Sequence, residues 1–307
     1  MNTATKVLQN LKRITFEELS QVDILHEQRL LLPLGVDLEL NENNQVITHG
    51  LGVLDGKQKD LLSYIKIINP LNLEYVDMGV LMPRTYAESL YPIPEHISVQ
   101  CLIFSIIDSD TASFINEKNK SKIYGKTSYD KFIISTMTDK AFKKGDVVYV
   151  MNRRVGGWDG SIDRPVIELL GAGGHLATYW DETINKFVSA NFIENLQREF
   201  CEELKISISK ENFSVFGGFH NKKSNELVVL CGAFINGVDI KSIFENTQNN
   251  IDEDIAGIYI GDFDEIISMY LMDAEPFAGG NKAKATNFPS QPDLMAKVSQ
   301  YIQTKKQ

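Results

Sequence analysis

Residues 197–204 read Gln197-Arg198-Glu199-Phe200-Cys201-Glu202-Glu203-Leu204, and the expected fold and chemistry both turn on how that stretch winds. Wound as a helix, it brings Glu199, Glu202 and Glu203 into an arc of roughly 100°, because residues three and four apart are neighbours on a helix surface. Phe192, Leu196, Phe200 and Leu204 recur every fourth residue and form an apolar stripe beside that arc. One flank of the helix can therefore be buried while the acids stand at its margin, in a cleft rather than in open water.

Like charges this close are costly unless something neutralises them, and hard divalent cations with oxygen ligands are the usual solution. Arg198 stands between Glu194 and Glu202 at i,i+4 spacing in both directions, so it can orient a carboxylate without occupying the metal position. An acidic helix face is most often simply solvated, so spacing alone does not decide between the two readings.

The wider context favours the metal. Arg198-Glu199-Phe200-x-Glu202-Glu203 resembles the R-E-U-x-E-E core of the Nudix hydrolases, whose box reads G-x5-E-x7-R-E-U-x-E-E-x-G-U with U bulky and apolar. Upstream, Gly173-Gly174-His175-Leu176 resembles the glycine turn that opens the box. The resemblance implies an α+β fold, a Nudix-type mixed β-sheet sandwiched by helices, with a smaller N-terminal α/β region. It implies that Glu199, Glu202 and Glu203 hold Mg2+ or Mn2+, with a backbone carbonyl near Gly174 as a further ligand and Arg198 as support. Water would then attack a phosphorus of a nucleoside diphosphate derivative. The family also places one more acid, a ligand or base, further along the chain, and Glu253 in Asn250-Ile251-Asp252-Glu253-Asp254 is the candidate, although an acidic loop explains it equally well.

The box is altered. Gly174 and Arg198 are 24 positions apart where the family has 14, the family's upstream glutamate falls on Ala190, and the glycine after the paired glutamates is Lys205. Glu182 or Glu194 could supply the missing acid. The inserted stretch Ala177 to Val188 reads as a loop over the site, after which Ser189 or Asn191 caps the helix. These departures keep a second reading open: a catalytically inactive Nudix-fold protein that senses a nucleotide or binds a partner.

Before the box, Val150-Met151-Asn152-Arg153-Arg154 is a strand whose closing arginines suit phosphate oxygens, since guanidinium offers paired planar donors. Arg153 and Arg154, with Gly173 and Gly174, are the substrate-binding candidates; a surface arginine pair in a hairpin is the competing explanation. Trp158 reads as a core-edge indole. Ile97–Ile107, Lys131–Met137, Val147–Asn152, Pro165–Leu170, Asn212–His220, Glu226–Ile235 and Ile255–Ile260 predict strands. The lysine-rich interval Asn116–Ser128 predicts a solvated loop.

Residues 1–95 form an expected N-terminal α+β region of unassigned role, and 96–307 the Nudix-like domain, with the proline pair in Tyr91-Pro92-Ile93-Pro94-Glu95-His96 as boundary. In the N-terminal region a helix starts at Thr15, a hairpin joins Val36–Leu40 to Gln45–Thr48 across Asn41-Glu42-Asn43-Asn44, and Lys57–Ile67 predicts a helix. Helices are also expected over Asp262–Met272 and Pro292–Ile302, flanking a glycine-rich loop at Ala278–Lys282 that lacks the P-loop pattern. His26, His49 and His96 each stand alone in sequence and are assigned no role.

With 43% hydrophobic and 23% charged residues the 307-residue chain has ordinary globular composition. A net charge of −10 disfavours general nucleic-acid binding, which requires phosphate neutralisation. Cys101, Cys201 and Cys231 are odd in number without C-x-x-C spacing, so they read as buried small apolar residues. The chain has no long apolar run or leader-like N-terminus, which gives the expectation of a cytoplasmic protein without membrane contact. A nucleotide-type small molecule is the expected partner, and a homodimer is compatible with the sequence.

Overall fold

The computed structural model describes residues 28–32, 36–40, 42, 44–50, 59–120, 135–136, 141–154, 166–168, 171–222, 224–249, 257–262 and 292–306. They form mixed sheets and helices of the α+β class. In chain order these are β1 (Arg29–Leu30), β2 (Val36–Leu40), β3 (Val46–Gly50), β4 (Lys59–Asn69), β5 (Glu74–Pro83), α1 (Arg84–Ser89), β6 (His96–Ile106), α2 (Ser109–Lys120), β7 (Ser135–Thr136), β8 (Val147–Arg154) and β9 (Val166–Glu168). There follow β10 (Ala172–His175), β11 (Thr178–Asp181), β12 (Lys186–Ser189), α3 (Phe192–Glu199), β13 (Phe213–Asn221), β14 (Glu226–Phe234), α4 (Gly237–Asn249), β15 (Gly257–Asp262) and α5 (Pro292–Lys306). Among the described residues no helix is long and apolar enough to cross a membrane.

The chain divides into two compact units: Met1–Val99, Gly174–Asn195 and Gly217–Val229 make one, and Gln100–Gly173, Leu196–Phe216 and Leu230–Gln307 the other. The first unit holds a five-stranded sheet in the order β1-β5-β4-β3-β2, with β1 parallel to β5 and the rest antiparallel. Successive residues point to opposite faces of a strand, and both faces here are buried. Leu31, Leu62, Val80 and Met82 pack with Ala87 of α1 on one face, while Leu30, Val46, Leu61 and Leu81 pack with Trp180 and Phe187 on the other.

Trp180 and Phe187 come from the inserted stretch, which is a hairpin of β11 and β12 rather than a loop over the site. Its two rings are paired across the strands at 4.9 Å and 72°. Trp180 N–H donates to Asn44 O at 2.9 Å, and Phe187 N–H to Gln28 Oε1 at 3.0 Å. A polar insertion would have stayed solvated; this one carries two aromatics, and burying them against the sheet draws the hairpin into the core.

The Lys57–Ile67 helix is likewise replaced by β4. Leu61, Leu62 and Ile65 are buried, a spacing that imitates helical periodicity. It arises because Leu61 and Leu62 serve opposite faces while Ile65 returns to the Leu61 side by simple alternation.

A second sheet runs β13-β14-β6-β8-β15-β7, with β10 beside β6 and β9 beside β8. It is mixed, since β8 is antiparallel to β6 and β15 while β15 is parallel to β7. In the second unit Phe104 and Tyr149 meet edge to face at 5.5 Å, as do Phe114 and Phe244 at 5.4 Å. The predicted loop at Asn116 belongs in part to α2, where the Asn116 amide takes both backbone groups of Phe142, each at 2.8 Å. Cys101 and Cys231 are buried, and burial pushes the Cys231 thiol up to about 12. Cys201, however, is exposed, turned away from the buried side of its helix. Asp262, the expected start of a helix, ends β15 instead; residues 263–272, the expected elements at Thr15 and Ala278–Lys282, and Trp158 and His26 lie outside the described residues.

Candidate functional site

The helix that carries the acids is fixed at both ends by local chemistry. Asn191 Oδ1 accepts from Glu194 N–H at 2.9 Å and Glu194 Oε2 accepts from Asn191 N–H at 3.3 Å, a reciprocal capping box in which Asn191, not Ser189, is the cap. Glu194 is thereby committed to the cap instead of to Arg198. Leu196, Phe200 and Leu204 are fully buried and Phe192 is half-buried, so the four-residue stripe faces the interior. Phe200 packs edge to face on Phe213 at 5.2 Å.

The α-helix ends at Glu199, and Phe200–Leu204 winds as a π turn. The wider turn adds one residue per hydrogen-bonded loop and changes the angular spacing of Glu202 and Glu203 relative to Glu199; such turns recur at functional sites. It closes at Lys205, which takes the left-handed conformation at φ 55°, ψ 34°, with its N–H returning to Phe200 O. In the box that the sequence resembles, that position is a glycine. Lysine is disfavoured there by about 1 kcal/mol, while glycine costs roughly 0.5–1 kcal/mol through the unfolded chain. Lys205 Nζ also donates to Glu202 O at 2.7 Å, an exposed contact of small value. Lys205→Gly should therefore leave stability within roughly 0.5 kcal/mol of the parent in a urea titration, on the stabilised side if the left-handed strain dominates.

Arg198 joins the acids. One terminal guanidinium nitrogen is 2.5 Å from Glu199 Oε1 and the other 2.8 Å from Glu202 Oε2. Glu199 is buried, Glu203 half-buried and Glu202 exposed, so the carboxylates step from interior to surface within a turn and a half. Arg198 carries one positive charge against three negative ones. A buried carboxylate needs a charged or hydrogen-bonding partner, which explains the close Arg198–Glu199 pair. The exposed end leaves Glu202 open to a cation or an anionic substrate carrying one.

The other candidates are distributed differently. Gly173 and Gly174 lie in β10, a strand rather than a free turn. The run begins at Gly171 for packing reasons: a Cβ there would sit 2.2 Å from the Ile103 side chain, and its N–H bonds Cys101 O at 2.9 Å. Arg153 and Arg154 close β8, with Arg153 opposite Gly257 on one side and Ile167 on the other. Glu182 is exposed in the β11–β12 turn, and Ala190 is half-buried with its N–H on Ala177 O at 2.8 Å. Glu253 lies outside the described residues.

One constellation was invisible to sequence patterning. His96 at the start of β6, His175 at the end of β10 and Glu226 at the start of β14 converge in the first unit, their ligand atoms all within 4.8 Å of one another. His96 Nε2 and His175 Nε2 lie 3.4 and 3.3 Å from the same oxygen, Glu226 Oε1. Burial pushes the His175 pKa down against the pull of Glu226. Burial acts to raise the Glu226 carboxyl, but the two imidazoles outweigh it and hold it well below the usual range.

No family model matches the chain, and no curated protein does. Among solved structures it is similar to a MutT/nudix family protein from Listeria innocua, at 10% identity and TM-score 0.35, over 68% of this chain and 94% of that one. It is also similar to a MutT/nudix family protein from Enterococcus faecalis, at 13% identity and TM-score 0.25, over 52% of this chain. The chain spans 39% of the length of the Enterococcus protein.

Proposed function

We propose that the chain is a metal-dependent hydrolase of Nudix type, cleaving a diphosphate bond in a nucleoside diphosphate derivative. The observation that supports this reading is the Arg198 fork, which holds buried Glu199 and exposed Glu202 together within the R-E-U-x-E-E pattern. Hard carboxylate oxygens fit Mg2+ or Mn2+ rather than a thiophilic metal. Glu199, Glu202 and Glu203 would hold the ion, which when bound supplies charge neutralisation and an acidified water.

Each residue of the turn has a distinct part in this reading. Glu199, buried and clamped, sets the position of the cluster. Glu202 and Glu203, nearer solvent, meet the substrate and orient or deprotonate the attacking water, with the roles shared as in any coupled acid cluster. Arg198 is a positioning residue, since both of its terminal nitrogens are engaged by carboxylates. Arg153 and Arg154 take the phosphate oxygens with Gly173 and Gly174 alongside, and Glu253 adds an acid. The second sheet, flanked by helices, would be the Nudix-type core of residues 96–307, and residues 1–95 an appended region.

The departure at Ala190 favours the competing reading, a nucleotide sensor that does not hydrolyse. Assaying dinucleoside polyphosphates, nucleotide sugars, NAD, ADP-ribose and nucleoside triphosphates with Mg2+ or Mn2+ separates the two. Chelator-sensitive hydrolysis of at least one compound is expected; a melting shift with nucleotide but no hydrolysis across the panel would establish the sensor instead.

A further inference from the structure

Three segments of chain, remote in sequence, build the first compact unit, and the His96–His175–Glu226 cluster takes one residue from each. Their meeting is held by further bonds within that unit. His96 N–H reaches Asn225 O at 3.4 Å, Leu176 N–H reaches Ile97 O at 3.1 Å, and Asn225 Nδ2 donates to Ile93 O at 2.6 Å. His220 Nε2 and Asn225 Oδ1 are 2.8 Å apart, so the residue preceding Glu226 is itself fixed.

The tautomer of His96 follows from its partner. His96 Nδ1 lies 2.8 Å from Pro94 O, and a carbonyl only accepts, so Nδ1 carries the proton. In the neutral ring Nε2 then presents a lone pair, and that lone pair faces a carboxylate oxygen at 3.4 Å. Two electron-rich atoms facing each other at that distance repel unless a proton or a metal ion lies between them. The rings of His96 and His175 are stacked at 5.2 Å and 19°, and both Nε2 atoms are shut off from solvent without a well-formed hydrogen bond.

Protons fill both gaps only with an Nε2–H on each ring, which makes His96, already donating from Nδ1, an imidazolium stacked on a second imidazole. A metal ion satisfies both. Zinc binds imidazole nitrogen at about 2.0–2.1 Å and carboxylate oxygen at about 2.0–2.2 Å in tetrahedral geometry, which separates neighbouring donors by roughly 3.3–3.5 Å. The observed 3.4 and 3.3 Å separations are those of two such edges, and the third, between donors that lie within 4.8 Å of one another, would shorten on binding. The Nδ1–carbonyl bond is also what metal-bound histidines generally use to fix the ring.

We propose that His96 Nε2, His175 Nε2 and the Glu226 carboxylate bind a divalent transition metal, with Zn2+ the best-matched ion, and that this ion staples the three segments of the first unit. The fourth position falls to the second Glu226 oxygen or to a water. The donor set of two imidazoles and one carboxylate differs from the all-carboxylate cluster around Arg198, so the two sites select different metals.

The test uses the full chain, stripped with a chelator and titrated with Zn2+ alone by calorimetry, followed by X-ray absorption of the zinc-loaded protein. One equivalent bound, two imidazoles in the absorption spectrum and a raised melting temperature are expected. His175→Gln and Glu226→Gln should each weaken Zn2+ binding by at least about 100-fold, whereas Glu202→Gln should leave it unchanged. If either variant fails to fold, Co2+ loading of the parent chain gives an independent reading through its tetrahedral visible spectrum. Absence of tight Zn2+ binding by the parent chain would overturn the proposal, as would NMR showing both His96 nitrogens protonated in the presence of Zn2+.

Discussion

Glu202→Gln and Glu203→Gln each lower Mg2+-dependent kcat on the responsive substrate by at least about 100-fold, the scale of losing an anionic group that acts on charge developing in the transition state. Replacing a carboxylate with its isosteric amide removes a negative ligand while keeping volume and hydrogen-bonding capacity. Glu202 is exposed and Glu203 half-buried, so folding should change by no more than about 0.5 kcal/mol. Arg198 retains Glu199 in both variants. The signature is therefore a collapse of turnover, together with a higher Mg2+ requirement, at an unchanged urea midpoint. Steady-state kinetics across a Mg2+ series, alongside equilibrium unfolding, checks it; parent-like turnover in either variant would remove that residue from the metal set.

Phe200→Ala has the opposite signature, with stability failing first. Phe200 is fully buried, stacks edge to face on Phe213 and begins the π turn. Truncation loses transfer free energy and leaves a cavity, costing about 3–5 kcal/mol. Because Glu199 precedes Phe200 and Glu202 follows it, a loosened turn should also disperse the acids. A lowered unfolding midpoint, with residual activity recoverable at low temperature, is expected. A change below about 1 kcal/mol, well under the range for buried aromatics, would mean that the turn can collapse onto the vacancy.

Much of the second sheet was legible because its signals are local. The β-branched and aromatic runs became β6, β8, β13, β14 and β15 within a few residues of their expected ends, and the stripe of Leu196, Phe200 and Leu204 is buried as its spacing requires. Other elements were decided by contacts between distant residues. Lys59–Asn69 carries a helix-like burial pattern because both faces of β4 are covered. The inserted segment folds as a hairpin because Trp180 and Phe187 find the far face of that sheet. The π turn has no sequence signature because it depends on hydrogen-bond register rather than residue type.

The two candidate sites divide along the same line. The acids around Arg198 are adjacent in sequence, so their grouping is visible in eight residues. His96 is solitary in sequence, and no spacing rule links it to His175 and Glu226; only the strand arrangement brings the three together. The Pro94 carbonyl that holds His96 Nδ1 has no sequence signature, since any residue type offers a backbone oxygen.

An anomalous difference map from a crystal soaked in Mn2+ with a non-hydrolysable diphosphate tests the central claim most directly. The expected result is a peak within ordinary metal–oxygen bonding distance, about 2.0–2.6 Å, of carboxylate oxygens from at least two of Glu199, Glu202 and Glu203. Carboxylates that point apart, with no ion at the π turn while the diphosphate is bound elsewhere, would contradict it.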